Sequence, residues 1–581
     1  MASMNFGNLR LDPAKNPAVL DTATWNPQAA WDLVRTLDDR YWQALQDWPA
    51  GRGALPQSAV CTLSSGSCAR YRKSDFLLAG LNDGQQVFIE VGAGEQEAVL
   101  GKAIGRKALQ NGKQAAVYST DAETTDRFCR VIKPVKGPRA LGATPRLGIG
   151  VRMSTSVWPG IWPAMAEHDF AANAIQNSLR ELNMLGDLLA GEPARTNYLF
   201  SFGNMAEGHT GSTFEGLWVY GVLSALGSES VPRYGADADH IMVKRGPEGL
   251  SRAIRVIDSA RYYTFFTLDV SDILDYRAMG ETSPVSADAG LAENIPDLHR
   301  RNEVCAYHGQ SRRIGGQAYA PERATLGRLV GKYWKALDAV QALCNHIQRL
   351  KDGTPFDLEL SIDENPPEVR TCESLTGDVE LMFLILEAQR RQIPLTHIAP
   401  NFGVEKGVDY RCPGGLEELE PRVRRLHHIA SESGLMLDCH SGDDLKAATR
   451  RVFGRATQGR IHFKISPCLQ VIFGETLNDL YPELFQFWWE DTLAYARREA
   501  AGGAEVALAC LREYESGIRP EPSARSSLFG HFNFATVGKR DARGQFIFRE
   551  RFYELPADFY QEYARRVERC LGEVAADLFV S

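Results

Sequence analysis

The chain has 581 residues, too many for one compact core of ordinary size, so a large domain with one or two smaller parts is expected. Its 44% hydrophobic and 24% charged content is that of a soluble globular protein, and no apolar run reaches the roughly 18 residues of a membrane helix. A net charge of −8 argues against nucleic acid as a partner, because phosphate binding relies on basic patches.

The start, "MASMNFGNLRLDPAKNP", lacks the basic and then apolar layout of a signal peptide, which points to the cytoplasm. The eleven cysteines form no CxxC pair, so reduced thiols are expected rather than a disulfide framework or a zinc ribbon. Residues 1–144 read as an N-terminal α/β cap, with "QQVFIEVGAG" and "KQAAVYSTD" as strands. From residue 145, short β-prone runs alternate with stretches of helical period. The runs span 146–153, 197–204, 231–240, 261–271, 356–365, 395–402, 434–441 and 459–467. Helices are expected over 166–190, 212–227, 247–260, 321–351, 377–392, 416–433 and 442–454. Eight βα units make a parallel sheet closed into a (β/α)₈ TIM barrel over 145–505. A long βα loop, 272–320, ends in "HGQSRRIGGQ" and is a candidate lid. Residues 506–581 form a C-terminal extension with a hairpin turning near Asp541–Gly544.

Barrel chemistry gathers where the strands end, and alternate residues face inward. That rule selects Asp237, Asp239 and His240 on the third strand, and Thr267 and Asp269 on the fourth. The fifth offers Glu359, Ser361 and Asp363, the sixth His397 and Asn401, the seventh Asp438 and His440, and the eighth His462 and Lys464. So many ionisable groups are costly to bury unless they pair with one another or hold a metal. Asp378, Asp443 and Asp444 serve equally well as helix N-caps, His397 as a core histidine, and His427 and His428 as surface or packing residues. A ligand set of imidazole and carboxylate suits Zn, Mn, Ni or Fe(II). Neither a P-loop nor a dinucleotide fingerprint is present, so no nucleotide cofactor is expected.

Six motifs in this order carry a resemblance: "GADADHIMVK" (235–244), "RYYTFFTLDVSD" (261–272), "ELSIDE" (359–364), "IAPNFGVEKGVDY" (398–410), "LDCHSGDDL" (437–445) and "RIHFKIS" (460–466). With the late "VGKRDARGQFIFRERFYELP" (537–556), they resemble the tagaturonate epimerase family over roughly residues 195–560. The resemblance implies a metal-dependent isomerase that inverts C4 of a keto-hexuronate, interconverting tagaturonate and fructuronate. "DCHSGDDL" is more acidic than the family's "HSGSDK", which brings the neutral ketohexoses tagatose and fructose into range.

C4 lies β to the C2 ketone, so its proton is not acidic, and inversion needs either retro-aldol cleavage of C3–C4 or transient oxidation. The missing dinucleotide fingerprint favours the first. On this reading Asp239, Asp269, Asp363 and Glu364 are the acid–base candidates, and Lys464 neutralises developing charge. His240, His440 and His462 are the expected metal ligands, and Asn401, Lys406, Asp438, Arg312 and Arg313 the substrate contacts. The partner is a small sugar or sugar acid, with no nucleic acid and no membrane, and a homo-oligomer is allowed. A class II aldolase that releases the fragments is the alternative, and a non-catalytic carbohydrate-binding barrel the more distant one.

Overall fold

The computed structural model describes residues 4–6, 9–11, 26–48, 55–93, 99–153, 155–190, 192, 194–199, 203–280, 283–365, 369–517, 521–542 and 546–579. Its centre is a closed barrel of eight parallel strands. In barrel order they are Arg146–Gly150, Ala171–Asn177, Tyr234–Met242, Phe265–Asp269, Asp357–Ser361, His397–Ala399, Met436–Cys439 and Ile461–Ile465. Outward residues such as Leu147, Ile149, Leu358, Leu360, Phe463 and Ile465 are fully buried under the surrounding helices. At the strand starts Arg146 Nη1 pairs with Asp357 Oδ2 at 3.0 Å, and Asp357 also accepts the amides of Leu141 and Gly142. This buried pair seals the floor.

Seven strands fall where the periodicity places them, but the second does not. It is Ala171–Asn177, "AANAIQN", inside the stretch expected to be helix 166–190. Its alanines and amides carry little β signal, because the inward positions hold Asn173 and Gln176 rather than β-branched residues. The β-prone run 197–204 instead contributes to a separate hairpin, Thr196–Leu199 with Gly203–Ala206, outside the barrel.

The N-terminal region is a five-stranded antiparallel sheet. One face (Phe76, Leu78, Phe88 and Tyr118) joins the main core, and the other (Leu77, Ala79, Val87 and Ile89) packs under the helices Pro27–Val34 and Asp39–Asp47. It leans on the barrel helix Phe214–Gly227, with Gly66 so close to Ser228 that a Cβ there would meet its carbonyl oxygen at 2.2 Å.

The long loop after the fourth strand is largely helical, with Pro284–Asn294 packed on the helix Arg323–Lys351. Its first part touches the barrel mouth, where Tyr276 donates to Asn365 Oδ1 at 3.0 Å. Its last part is the hairpin Arg312–Ile314/Gln317–Tyr319, pressed against the outer helix Gly415–Glu432 at His428 and Ile429.

Residues beyond 505 supply part of the ring. The helix Ala557–Phe579 fills the gap between Trp158–Glu167, which follows the first strand, and Ala447–Thr457, which follows the seventh. Gly160 admits the closing helix, since a Cβ there would lie 2.5 Å from the Ala564 oxygen, and Asp577 pairs with Arg450 and Arg451 at 2.7 and 3.0 Å. Where a hairpin is expected near Asp541, there are two short helices, Ser527–Phe532 and Phe534–Val537, and one antiparallel bridge, Arg540–Phe546. Gly544 lies outside the described residues.

Candidate active site

Lys464, on the last barrel strand, points into a ring of acids. Its Nζ lies 2.9 Å from Glu359 Oε2, 3.0 Å from Asp239 Oδ1, 3.3 Å from Asp237 Oδ2 and 3.6 Å from Asp438 Oδ2. It also donates to Thr267 Oγ1 at 2.7 Å. Burial opposes the ammonium charge, but these carboxylates outweigh it and hold the Lys464 pKa well above the usual value. Burial raises Asp237 and Glu359, whereas Lys464 and two imidazoles override burial at Asp239 and keep it ionised.

A bulge shapes the mouth above this ring. The pairing register of the third strand shifts between Ala238 and Ile241, and His240 takes a left-handed backbone (φ 43°). Strict alternation would send His240 outward with Ala238. The bulge lets the neighbours Asp239 and His240 both join the site. His240 Nδ1 reaches Asp269 Oδ2 at 3.0 Å, and its ring meets that of His440 edge-on at 4.7 Å. His440 stands between two acids, Nε2 at 2.8 Å from Glu359 and Nδ1 at 3.1 Å from Asp363. Burial opposes its charge, but Asp363 and Glu359 raise its pKa well above the ordinary value.

Glu364 is clamped by Arg180 at 2.9 and 3.1 Å and by Lys406. Arg180, which follows the second strand, is absent from the sequence-based set, because placing that strand elsewhere left it inside an expected helix. Beside it opens a cavity of about 300 Å³ lined by Arg180, His240, Arg195, Lys244, Arg245 and Arg252, with Glu207 and Glu248 as its acids. The basic groups outnumber the acidic ones.

Of the three expected histidine ligands, His240 and His462 fall in two separate groups and His440, held between Glu359 and Asp363, in neither. His240, Asp269 and Glu364 form one at the mouth; Glu359, Asp438 and His462 form another inside the barrel; each has ligand atoms within 4.8 Å of one another. The outer group is hydrogen-bonded already. In the inner group His462 Nδ1 lies 2.6 Å from Asp438 Oδ2, yet neither atom, nor Asp438 Oδ1, makes a hydrogen bond of sound geometry. Burial, then Lys464, keeps His462 neutral. Buried orphan acceptors beside a neutral imidazole fit a divalent cation.

Other expected contacts are used differently. The Asn401 side chain bonds Thr371 O, Ser374 O and Gly403 N, so it positions loops. Arg312 donates to Tyr307 O and Arg313 to Gly316 O on the outer hairpin, because the long loop folds along the ring; neither joins the site. His397 is a fully buried core residue against Phe265, and burial depresses its pKa. Asp443 accepts the amides of Ser466 and Cys468 at the start of the helix Pro467–Leu480, whereas Asp378 pairs with Arg425. Cys372 and Cys412 are disulfide-bonded, against the expectation of reduced thiols, because two loops bring together residues 40 apart in sequence. No helix among the described residues is long and apolar enough to cross a membrane.

The sequence profile described as tagaturonate epimerase (UxaE) matches residues 219–574, more than half of the chain. The chain belongs to the tagaturonate epimerase family. It is thereby an enzyme of the isomerase class. The fructuronate–tagaturonate epimerase of Cohnella laeviribosi has the same fold. One glycerol complex matches with TM-score 0.65 at 19% identity, covering 94% of this chain and 100% of that one. A second glycerol complex matches with TM-score 0.65 at 19% identity, over 93% and 100%. The native crystal structure matches with TM-score 0.64 at 19% identity, over 94% and 100%. No curated protein matches the chain.

Proposed function

We propose that this family member inverts C4 of a keto-hexuronate by cleaving and re-forming the C3–C4 bond. The observation that carries the reading is the basic cavity lined by Arg180 and His240 at the rim of the site whose interior holds the acid-ringed Lys464, with cations on its wall for a sugar carboxylate. Asp239, kept ionised, takes the C4 hydroxyl proton, and C3–C4 breaks into an aldehyde and an enediolate. Lys464 steadies the charge that develops on the enediolate oxygens. The aldehyde rotates, the bond re-forms on its other face, protonated His440 gives its proton to the C4 oxygen, and Asp239 hands the proton it took back to His440. Asp269 orients His240, and Arg180 with Lys406 holds Glu364 at the rim.

Glu359, Asp438 and His462 would hold a divalent ion, the orphaned atoms of Asp438 and His462 being the observation that favours it. When bound, such an ion supplies Lewis-acid polarisation of substrate oxygens. The test incubates metal-stripped protein with fructuronate, and separately with fructose, before and after Mn, Zn or Ni is added. The C4 epimer appearing only with metal is expected. Release of three-carbon fragments would make the chain an aldolase instead, and the faster substrate tells sugar acid from neutral ketohexose.

A further inference from the structure

Among the described residues Arg549 is a buried cation without an anion. It is 3% exposed, and its Nε, Nη1 and Nη2 are all buried without a hydrogen bond of sound geometry. Arg540 shares the anomaly: it donates through Nη2 to Gly208 O at 3.0 Å, but its buried Nε has no partner. Both guanidiniums lie on the ring of Phe546, at 4.6 and 4.5 Å from its centroid, and Tyr553 also flanks Arg549 at 5.4 Å. Among the described residues neither arginine makes an ion pair. Beside them the ring nitrogens of His209, 3% exposed, and the Tyr553 hydroxyl also lack a hydrogen bond of sound geometry.

Two like charges brought together in a protein interior repel, and unmade N–H bonds there carry the full desolvation cost. Stacking on an aromatic face offsets part of that cost but leaves the in-plane N–H groups unused. The backbone is built around the arrangement. Gly211 (φ 73°) passes so close that a Cβ would lie 2.1 Å from Arg549 Nη1. Burial, then mutual repulsion, lowers the Arg540 pKa to about 10, and burial lowers His209 to about 3.

We propose that Arg540 and Arg549, with His209 and Tyr553, form an oxyanion-binding site that takes a carboxylate or a phosphate. Planar guanidinium edges match both. The site connects with the active site through one wall: Glu207 accepts from Arg540 with its carbonyl and binds Arg252 of the basic cavity with its carboxylate. The anion is either the carboxylate of the sugar acid, bound here rather than on the cavity wall, an arm that rests on the hexuronate reading, or free inorganic phosphate, an arm that does not.

The experiment follows thermal unfolding of the full chain and of Arg549→Met at constant ionic strength, titrated with phosphate, fructuronate or fructose. In the absence of these anions Arg549→Met is expected to unfold at or above the wild-type temperature, since it removes an uncompensated charge. Phosphate stabilising the wild type by about 3 °C but not the variant identifies a free anion. A shift with fructuronate that the variant loses, together with a roughly tenfold rise in its KM for fructuronate and none for fructose, identifies the sugar acid. Equal responses in both proteins, or none, would overturn the site. If Arg549→Met does not fold, Arg540→Gln is titrated in the same way and decides by the same criteria. Turnover of fructuronate with a flat titration sinks this site alone, and a positive phosphate titration without turnover sinks the epimerase reading alone.

Discussion

Lys464 Nζ and Glu359 Oε2 are 2.9 Å apart although their strands, the eighth and the fifth, have the sixth and seventh between them. The lysine thus spans the interior as a tie between acids that would otherwise repel. Lys464→Met leaves those carboxylates without their cation, which costs about 3–5 kcal/mol when a buried pair is broken. Urea unfolding reads that loss, and kcat for epimerisation is expected to fall by roughly 10² to 10⁴. A variant that keeps kcat within a factor of ten would remove Lys464 from the chemistry.

The two carboxylate–imidazole groups give opposite expectations for metal content. Asp438→Asn and His462→Ala should each lose the ion, because their orphaned atoms make no hydrogen bond of sound geometry. His240→Ala should keep it while losing activity, since Asp269 already uses its Nδ1. Elemental analysis after dialysis against trace Mn or Zn separates the two, and loss from His240→Ala alone would move the ion to the mouth.

Cys372–Cys412 ties the loop after the fifth strand to the loop after the sixth, the pair that carries Glu364 and Lys406. Closing a segment of 40 residues stabilises the fold by about 4 kcal/mol in the chain-entropy account. Cys372→Ser should lower the unfolding midpoint accordingly and raise KM more than it lowers kcat. A mass spectrum of the untreated protein showing both thiols free would contradict the link.

Acid should loosen the outer layer at Glu387. Burial disfavours its charge, but hydrogen bonds from His308 and Arg390, and then from Arg391, bring its pKa down to about 2. A depressed carboxylate contributes stability in full above its unfolded pKa and loses it as pH falls through the folded value. The window is therefore about pH 4.5 down to 2, and the contribution is roughly 3 kcal/mol. Glu387→Gln should unfold more readily at pH 7, and its stability should depend less on pH across that window.

Most of the barrel and its inner acids were readable because period two survives in short strands: Glu359, Asp438, His462 and Lys464 each alternate with apolar neighbours. The second strand was not readable, since "AANAIQN" lacks β-branched residues apart from Ile175, and with it Arg180 was missed. A bulge is invisible to a strict period, so the inward turn of His240 could be placed at a strand tip but not explained. Arg312 and Arg313 misled because loop length says nothing about where a loop lies. Cys372 and Cys412 meet only through tertiary structure, which local spacing does not encode.

The closing helix Ala557–Phe579 has a consequence for biosynthesis. All eight staves exist once Ile465 has left the ribosome, but the flanks of Trp158–Glu167 and Ala447–Thr457 stay uncovered until the stretch through Phe579 has followed. A nascent chain paused in that interval presents greasy helix sides to chaperones and to its neighbours, so slow translation past the eighth strand should favour aggregation, and fast completion the folded enzyme.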